Sequence, residues 1–484
     1  MGTSQLVNGK LLAAPSPLCG VKGAETGFTL DGRLFILVVL VMFWLASGEH
    51  QQCRADVYHA SAGDWSVYWN RPDQNRAVSG RDQWDIQDAL TERIEALGSG
   101  DRAILATVKF ADDSAAGPVM TAMDAALGRG ATIQIIVDDR VQTGWTYAGF
   151  SLDGLSQTYE SAMAVVKSPA DAPGLMHHKA ALFDYAGTSP GRTTVWCASS
   201  ALTAWSNHNA WEIATRFDDN SQLFDAFHGE FSELIEGRFR DDPGKSHAFN
   251  RAFLLTGQWS ASRVRFAPHP DVSSPAGDNA GSDIIAAIHA AEHSLLFALD
   301  RFTSTAVRDA ILERADAGLL VYGVMSVGDT LAGMPSRTVY ESLRGHPNVT
   351  FLVADEIAGP PLEADDGSVT NLVHAKYMIL DAGTSQGMVI HGSANWTAST
   401  LFGTDQQEED ILFLRHREMA EAFLANFDAI TAGQRRELPV PEPRSATGLI
   451  LGIILVSGRA TGRIVTGLHH RDAQGCGRRA RPGC

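Results

Sequence analysis

Two segments of the chain carry a histidine, a lysine and an aspartate at the same spacing, H-x-K-x4-D. The residues are His177, Lys179 and Asp184 in the segment MHHKAALFD, and His374, Lys376 and Asp381 in the segment VHAKYMILD. A chain of this composition would contain roughly 0.03 such matches by chance, so two matches far exceed what chance provides. The duplicated pattern therefore marks candidate catalytic residues.

Paired histidines and lysines suit the cleavage of a phosphodiester bond. The reaction needs a nucleophile, a proton for the leaving oxygen, and positive charge on the phosphoryl oxygens. One neutral imidazole can attack phosphorus while a second, protonated imidazole acts as general acid, because both states are accessible near neutral pH. We expect a phosphohistidine intermediate and no metal or other cofactor, since the adjacent His177 and His178 lack the partner spacing of a zinc site.

The two segments belong to an internal duplication. His177 and His374 are 197 residues apart, as are Val67 and Val264, which lie in short strand-like runs. Each half repeats one order of apolar strands and amphipathic helices, which predicts an α/β fold with mainly parallel sheets. We expect two similar α/β/α sandwich lobes related by a pseudo-twofold axis, with the active site at their interface. The predicted boundaries are 56–239 for the first lobe, 240–262 for a connector and 263–440 for the second lobe.

The motif resembles that of the phospholipase D superfamily, in which H-x-K-x4-D is followed by G-S-x-N and then by a glutamate. The second half has every one of these residues: Gly392, Ser393 and Asn395 in HGSANWT, then Glu408 and Glu409. The first half keeps the serine and the glutamate, as Ser199 and Glu212, but has Ala198 and Ala201 instead of Gly and Asn. The resemblance covers about residues 60–432.

The resemblance implies how the acid–base work is divided. Glu212 and Glu409 would each bond the far nitrogen of an imidazole, fixing its tautomer and supporting its protonated form. In related enzymes the first-half histidine is usually the nucleophile, which is His177 here, with His374 as the acid. The motif aspartates would be structural as much as catalytic, and these are Asp184 and Asp381.

The resemblance also implies which groups bind the phosphate. These are Lys179 and Lys376, with Ser199, Ser393 and Asn395 as hydrogen-bond donors. Ala201 removes one expected donor, which leaves three alternatives open. Asn207 or Asn209 compensates for it, the difference reflects unequal roles of the two histidines, or the first-half site has decayed.

Composition and charge limit the kinds of partner. The 484 residues are 44% hydrophobic and 20% charged, as in ordinary globular proteins, and they carry a net charge of −17 at pH 7. The ends are basic, so residues 56–440 alone carry −23. An acidic body argues weakly against a nucleic-acid partner, because such binding depends on Lys and Arg neutralising phosphates.

The two ends of the chain differ from its body. The uncharged run LFILVVLVMFWL, residues 34–45, is too short to cross a bilayer but has the length of a signal-peptide core. We expect 1–55 to be a signal peptide, cleaved after Gly48 or Ala55, or an uncleaved anchor, so that the protein is secreted, periplasmic or membrane-anchored. Residues 441–484 form a basic tail that holds Cys476 and Cys484.

Three functional hypotheses follow. The first is a secreted, monomeric phospholipase D that hydrolyses phosphatidylcholine-like lipids with water, or an alcohol, as the acceptor. The loop 141–150, which carries aromatic residues, either meets lipid or packs in the core. The alternatives are a metal-independent nuclease and a non-catalytic lipid-binding protein. The sequence Gly383–Gly387 fits the hydrolase pattern G-x-S-x-G but lies between two strand-like runs, so we interpret it as a hairpin loop.

Overall fold

The computed structural model describes most of the chain between residues 57 and 431. The described ranges are 57–72, 84–111, 113–138, 152–168, 175–203, 206–207, 210–239, 252–268, 277–326, 333–353, 372–403 and 407–431. The predicted signal segment 1–55, the loop 141–150, Asn209 and the tail 441–484 lie outside these ranges. Among the helices described, none is long and apolar enough to span a membrane.

The first lobe is built on a sheet of eight strands in the order β1-β2-β11-β8-β7-β3-β5-β6. Its strands are β1 Val57–His59, β2 Trp65–Trp69, β3 Arg102–Thr107, β5 Thr132–Asp138, β6 Met163–Ser168, β7 Lys179–Asp184, β8 Thr193–Ala198 and β11 Ile213–Asp218. Three two-residue strands lie outside it: β4 Phe110–Ala111, β9 Leu202–Thr203 and β10 Ala210–Trp211. The strands β4 and β9 pair with each other.

The second lobe repeats the same plan, with the order β12-β13-β20-β19-β18-β14-β15-β16. Its strands are β12 Phe253–Leu254, β13 Arg263–Ala267, β14 Ser294–Leu299, β15 Leu320–Met325, β16 Val349–Val353, β18 Lys376–Leu380, β19 Met388–Gly392 and β20 Glu409–Arg415. The short strand β17 Leu372–Val373 pairs with β10 of the first lobe. Strand β12 lies within the predicted connector, so the second sheet begins earlier than the sequence indicated.

Helices cover both faces of each sheet, as the predicted α/β/α sandwich requires. In the first lobe they are α1 Asp85–Glu95, α2 Asp113–Gly128, α3 Leu152–Tyr159 and α4 Ser221–Ile235. In the second lobe they are α5 Ala280–Ala290, α6 Thr305–Asp316, α7 Arg337–Arg344, α8 Ala398–Phe402 and α9 Arg417–Ile430. Asparagine side chains cap α4 and α5, where Asn220 and Asn279 accept from the backbone of the first turn.

The sheets are mixed, and the prediction of mainly parallel sheets is wrong. In each sheet only the two pairings at the far edge, β3–β5–β6 and β14–β15–β16, are parallel, and the other five are antiparallel. A parallel pair needs a crossover of a dozen or more residues, whereas β7 and β8 are joined by only residues 185–192. The predicted loop Gly383–Gly387 likewise joins the antiparallel strands β18 and β19.

The last helix of each half lies between the two sheets. Helix α4 contacts β7 and β8 of its own lobe and β13 of the other, while α9 contacts β18 and β19 and also β2. Their apolar faces form one buried cluster that draws on both lobes, including Phe227 and Phe231 of α4 and Phe423 and Phe427 of α9. The two outer helix layers have separate clusters. A shared core therefore fixes the lobes against each other.

Candidate active site

The two motif histidines lie just before equivalent strands. Strand β7 begins at Lys179 and β18 begins at Lys376, so each histidine precedes its strand by two residues. The lysines pair with the last residues of the central strands, Thr107 of β3 and Leu299 of β14. Both H-x-K segments are therefore at the carboxyl ends of the central strands.

Backbone hydrogen bonds connect each histidine to the opposite lobe. His374 N donates to Trp211 O at 3.1 Å, next to the parallel pairing of β10 with β17. The equivalent bond runs from His177 N to Glu408 O at 2.9 Å, beside a bridge between Met176 and Glu408. Each histidine is thus fixed next to the glutamate that begins or precedes the last strand of the other lobe.

A buried glutamate from the opposite lobe holds each imidazole. His177 Nδ1 lies 2.7 Å from Glu409 Oε1, and His374 Nδ1 lies 2.6 Å from Glu212 Oε1. Both glutamate side chains are 0% exposed, whereas the side chains of His177 and His374 are 13% and 21% exposed. Because Nδ1 faces the glutamate, Nε2 is the nitrogen that remains for chemistry.

A serine orients each glutamate. Ser199 Oγ donates to Glu212 Oε2 at 2.5 Å and Ser393 Oγ donates to Glu409 Oε2 at 2.6 Å. Each serine oxygen also accepts a backbone N–H from the residue after its glutamate. A hydroxyl has one hydrogen to donate, so that hydrogen is not available to a phosphate. The structure therefore gives both serines a positioning contact rather than the predicted phosphate contact.

The charge states in the site follow from burial and from the close partners. Burial alone would raise the pKa of Glu212 and Glu409, but the histidine and lysine neighbours lower it below the ordinary value. Both glutamates are therefore charged near neutral pH. Burial lowers the pKa of His177 in spite of Glu409, which keeps this ring neutral over a wider pH range. A neutral ring is what a nucleophile requires.

Each lysine lies beside the reactive nitrogen of its own histidine. Lys179 Nζ is 3.1 Å from His177 Nε2, and Lys376 Nζ is 3.3 Å from His374 Nε2. Each ammonium also donates to the carbonyl oxygen of that histidine, at 2.9 and 2.7 Å. Burial lowers the pKa of Lys179 to about 8. A cation in this position can bind the phosphoryl oxygens of a substrate.

One carboxylate breaks the symmetry of the site. Asp300 Oδ2 lies 3.5 Å from both His374 Nε2 and Lys376 Nζ. The matching strand registers place Val108 at the equivalent position of the first lobe. Burial alone would raise the pKa of Asp300, but His374 and Lys376 lower it, so the group is charged. His374 therefore faces two carboxylates, those of Glu212 and Asp300.

The structure does not bring the motif aspartates to the site. Asp184 ends β7 and Asp381 follows β18, so each is five residues, or about 16 Å of extended strand, from its lysine. The carboxylate of Asp381 accepts backbone N–H groups of Glu292, His293 and Ser294. Asp381 therefore fixes the turn before β14.

In the first lobe Asp101, and not the motif aspartate, fixes the equivalent turn. The side chain of Asp101, just before β3, accepts from the backbone of Gly98, Gly187 and Thr188. The described residues give Asp184 no side-chain hydrogen bond. The motif aspartate therefore fixes a turn in the second half, whereas Asp101 makes the equivalent contacts in the first.

Asn207, a candidate substitute for the donor that Ala201 removes, lies among the described residues. It lines the same narrow cavity as Lys179, and its Nδ2 donates one of its two hydrogens to Gln87 Oε1 at 2.6 Å. Asn395, the second-half counterpart of Ala201, is half-buried three residues after β19. The two halves therefore differ at this position, and compensation by Asn207 stays a prediction.

Sequence reasoning missed Asp300 and a second buried cluster around His178. Asp300 directly follows an apolar strand and breaks the repeat, since valine occupies the matching place, and that contrast was available in the sequence. Within the described residues, His178, Glu230 and Glu408 could together hold a metal ion. Glu230 stands on the apolar face of α4, three residues after Phe227, where a core residue is expected.

The two lobes share one plan, and each histidine and lysine pair receives its glutamate from the opposite lobe. These features define a phosphodiester-acting enzyme of the phospholipase D superfamily. More than half of the chain, residues 94–235 and 284–431, matches the family described as "Cardiolipin synthase, PLD-like domain". The chain belongs to that family. No curated protein sequence matches it significantly.

Solved structures include one with a similar fold and others that are less similar. Phosphatidylserine synthase from Haemophilus influenzae Rd KW20 has a TM-score of 0.51 at 11% identity, over 83% of this chain and 95% of that one. Yeast tyrosyl-DNA phosphodiesterase gives 0.40 at 11% identity, over 67% of this chain and 84% of that one. Polyphosphate kinase from Porphyromonas gingivalis gives 0.44 at 14%, over 70% of this chain and 44% of that kinase, so the chain spans less than half the kinase.

Proposed function

We propose that the protein is a phospholipase D-type enzyme that cleaves the head-group phosphodiester of a phosphatidylcholine-like lipid. The products are phosphatidic acid and the free head-group alcohol. The observation that carries the proposal is the pair of imidazoles, each held at Nδ1 by a buried glutamate of the opposite lobe and flanked at Nε2 by a lysine.

In the first step His177 Nε2 attacks phosphorus and the bond from phosphorus to the head-group oxygen breaks. His374, protonated and held by Glu212, gives its Nε2 proton to that leaving oxygen. Lys179 and Lys376 bind the non-bridging oxygens as negative charge develops. The result is a phosphatidyl group bonded to His177 and a neutral His374.

In the second step an acceptor hydroxyl attacks the phosphorus. His374 now takes the acceptor's proton as general base, and the bond from phosphorus to His177 Nε2 breaks. Water as acceptor gives phosphatidic acid, and an alcohol gives a new phosphatidyl ester. Both histidines return to their starting states, so one site performs hydrolysis and transfer.

The net charge of the protein and the printed names of its relatives both favour a lipid substrate over a nucleic acid. Residues 56–440 carry a net charge of −23, and strong non-specific binding to nucleic acid depends on clustered Lys and Arg. The family description names a cardiolipin synthase, and one solved structure with a similar fold is a phosphatidylserine synthase. Both printed names concern phospholipids, which supports a phosphatidyl group as the part transferred.

The relatives also support transfer to an alcohol as a second outcome of the same chemistry. A synthase of this kind differs from a hydrolase in which hydroxyl attacks the phosphatidyl-histidine. Ethanol and glycerol are suitable probes because neither can be mistaken for water in the product. A ratio of phosphatidylethanol to phosphatidic acid well above the ratio of ethanol to water would identify a transferase.

The experiment is head-group release from phosphatidylcholine vesicles by the full chain, with ethanol present and both lipid products measured. We expect choline release in wild type and its loss in His177→Ala, with His289→Ala as the matched control on an exposed helix position. Cleavage of single-stranded DNA without lipid turnover would overturn the proposal in favour of a nuclease. Vesicle binding that His177→Ala leaves unchanged, without turnover, would identify a lipid-binding protein.

We also propose that the protein is exported by the segment 1–55. The apolar run 34–45, with small residues after it, supports this. The measurement is the N-terminal sequence of protein recovered outside the cytoplasm, which we expect to begin after Gly48 or Ala55. Protein found only inside the cell, with its N-terminus intact, would contradict the proposal.

A further inference from the structure

A charged cluster is buried directly behind His177. It consists of His178, Glu230, Glu408 and Asp410, which are all at most 2% exposed. Nitrogen and carboxylate oxygen atoms of His178, Glu230 and Glu408 lie within 4.8 Å of one another. Burying several ionisable groups together is costly unless protons, partners or a metal ion offset their charges. Hydrophobic packing alone therefore does not explain why these four ionisable groups are buried together.

The imidazole of His178 is oriented as a metal ligand would be. Its Nδ1 lies 3.1 Å from Asp410 Oδ1, which fixes the ring by a carboxylate bond. Its Nε2 is buried and has no hydrogen-bond partner in the described part of the chain, and Glu230 Oε1 is 3.9 Å away. That distance is too long for a hydrogen bond but leaves room for an ion between the two atoms.

The duplication provides an internal comparison. The pseudo-twofold relation matches Glu408 with Trp211 and Asp410 with Ile213, since these pairs make the same backbone bonds. It matches His178 with Ala375. Glu230 of α4 corresponds to Asn426 of α9, because a buried phenylalanine follows each one.

The four ionisable groups thus occur in one copy only, and neutral residues fill their places in the other copy. The fold can clearly be built without charges at these positions. In the neutral copy Asn426 Oδ1 accepts from Tyr377 Oη at 2.8 Å, which is an ordinary buried hydrogen bond. A role specific to the charged copy is therefore indicated.

We propose that this cluster binds one divalent cation through His178 Nε2 and the carboxylates of Glu230 and Glu408. Asp410 bonds the other imidazole nitrogen and acts as an outer partner. One imidazole with two carboxylates suits Zn²⁺ or Mn²⁺, which accept mixed nitrogen and oxygen ligands.

The same carboxylates explain why a cation is attracted here. Three buried carboxyl groups, those of Glu230, Glu408 and Asp410, lie around the single imidazole of His178. A divalent cation competes with a proton for Nε2 in such a site. Metal analysis distinguishes a bound metal ion from a protonated His178.

The cation would hold the two lobes together rather than take part in the reaction. Glu230 and His178 belong to the first lobe, whereas Glu408 belongs to the second. The carbonyl oxygen of Glu408 accepts the backbone N–H of His177. The metal would therefore stabilise the backbone contact that places His177 beside Glu409.

The test is the metal content of the full chain, expressed in medium supplemented with Zn²⁺ and Mn²⁺ and purified without chelator, measured by inductively coupled plasma mass spectrometry. We expect about one ion per chain in wild type. Glu230→Asn and His178→Ala, which introduce the residues of the neutral copy, should each lower the content at least tenfold. Asp225→Asn, exposed on the same helix, is the control and should keep the ion.

A second readout does not depend on the variants folding well. Wild-type protein grown with Co²⁺ should show visible d–d absorption with the cobalt in about equal amount to the chain. Protein free of metal in both preparations would overturn the proposal and leave an imidazolium ion pair. Equal metal content in wild type and Glu230→Asn would also overturn it. Neither result depends on lipid turnover.

Discussion

At the scale of single residues, the chemistry depends on contacts made between the lobes. His177 and His374 are supplied by opposite halves, and each is held by a glutamate of the half that does not contain it. A carboxylate at Nδ1 keeps Nε2 free and stabilises the imidazolium when a proton is taken up. Loss of one carboxylate should therefore damage catalysis while leaving the fold intact.

Glu409→Gln tests this dependence, because the side chain keeps its size and loses its charge. We expect kcat for choline release to fall on the order of 100-fold or more, the usual contribution of acid–base groups. Glu421→Gln, in an exposed i,i+4 pair on α9, is the matched control and should retain full activity. A Glu409→Gln enzyme as active as the control would show that the bond to His177 is not used.

Lys179 should set an upper pH limit on activity. Burial lowers its pKa to about 8, so the ammonium is charged below that pH and loses its charge above it. Without that charge the phosphoryl oxygens are bound less well, and kcat/KM should fall as the pH rises through about 8. Lys179→Arg keeps its charge and should move this limb to higher pH, even if the maximal rate is lower. An unchanged limb in Lys179→Arg would assign it to another group.

At the scale of helices and strands, the sequence predicted the types of element better than their pairing. The spacing of apolar residues predicts helices over 85–97, 224–235 and 419–430. The structure has α1 Asp85–Glu95, α4 and α9 in these places. Apolar periodicity reports which face of an element is buried, and the 197-residue spacing showed that the halves match. Periodicity carries no information on strand direction, which is why the antiparallel pairings were missed.

The site residues also differ in how well the sequence predicts them, depending on whether they are close together along the chain. The spacing of H-x-K identified the histidines and lysines, since both are local to one strand. The resemblance implied Glu212 and Glu409 as partners of the imidazoles. Spacing could not predict which glutamate holds which histidine, because Glu409 lies 232 residues from His177 and reaches it only through the packing of the lobes. Asp300 and the partners of His178 occur in only one half, so the similarity of the two halves gave no sign of them. Spacing along the sequence also argued against His178 as a zinc ligand, because Glu230 and Glu408 approach it only in the folded chain.

Asp381 provides a prediction at this scale, since its carboxylate holds the turn that leads into β14 through three backbone N–H groups. Asp381→Asn should lower the free energy of unfolding by about 2 kcal/mol, the range for hydrogen bonds to a charged group. Asparagine tolerates the left-handed backbone at this position, where φ is 51°, so strain is not added.

Asp184→Asn is the matched control, because the same motif position in the first lobe makes no such bonds with the described residues. It should change the free energy of unfolding by less than about 0.5 kcal/mol. Urea unfolding of both variants measures the difference. Equal losses would mean that the turn contacts of Asp381 contribute nothing to stability.

At the scale of the whole molecule, the duplication accounts for both the fold and the site. Two copies of one sheet pack around a shared layer formed by α4 and α9, and that packing closes the site from both sides. Each imidazole meets its glutamate only when the two halves are packed together. The copies also differ, at Asp300 and Ala201 among other positions, and these differences support the proposal that one histidine attacks while the other transfers protons.

The most direct test of this account is the location of the covalent intermediate. Turnover of a short-chain phosphatidylcholine by the full chain would be quenched with base, and the phosphatidyl-histidine peptide identified by mass spectrometry. We predict a single adduct on His177 in wild type and in Glu212→Gln, and none in His177→Ala. An adduct on His374 or on another residue, or no adduct while head group is being released, would contradict the account.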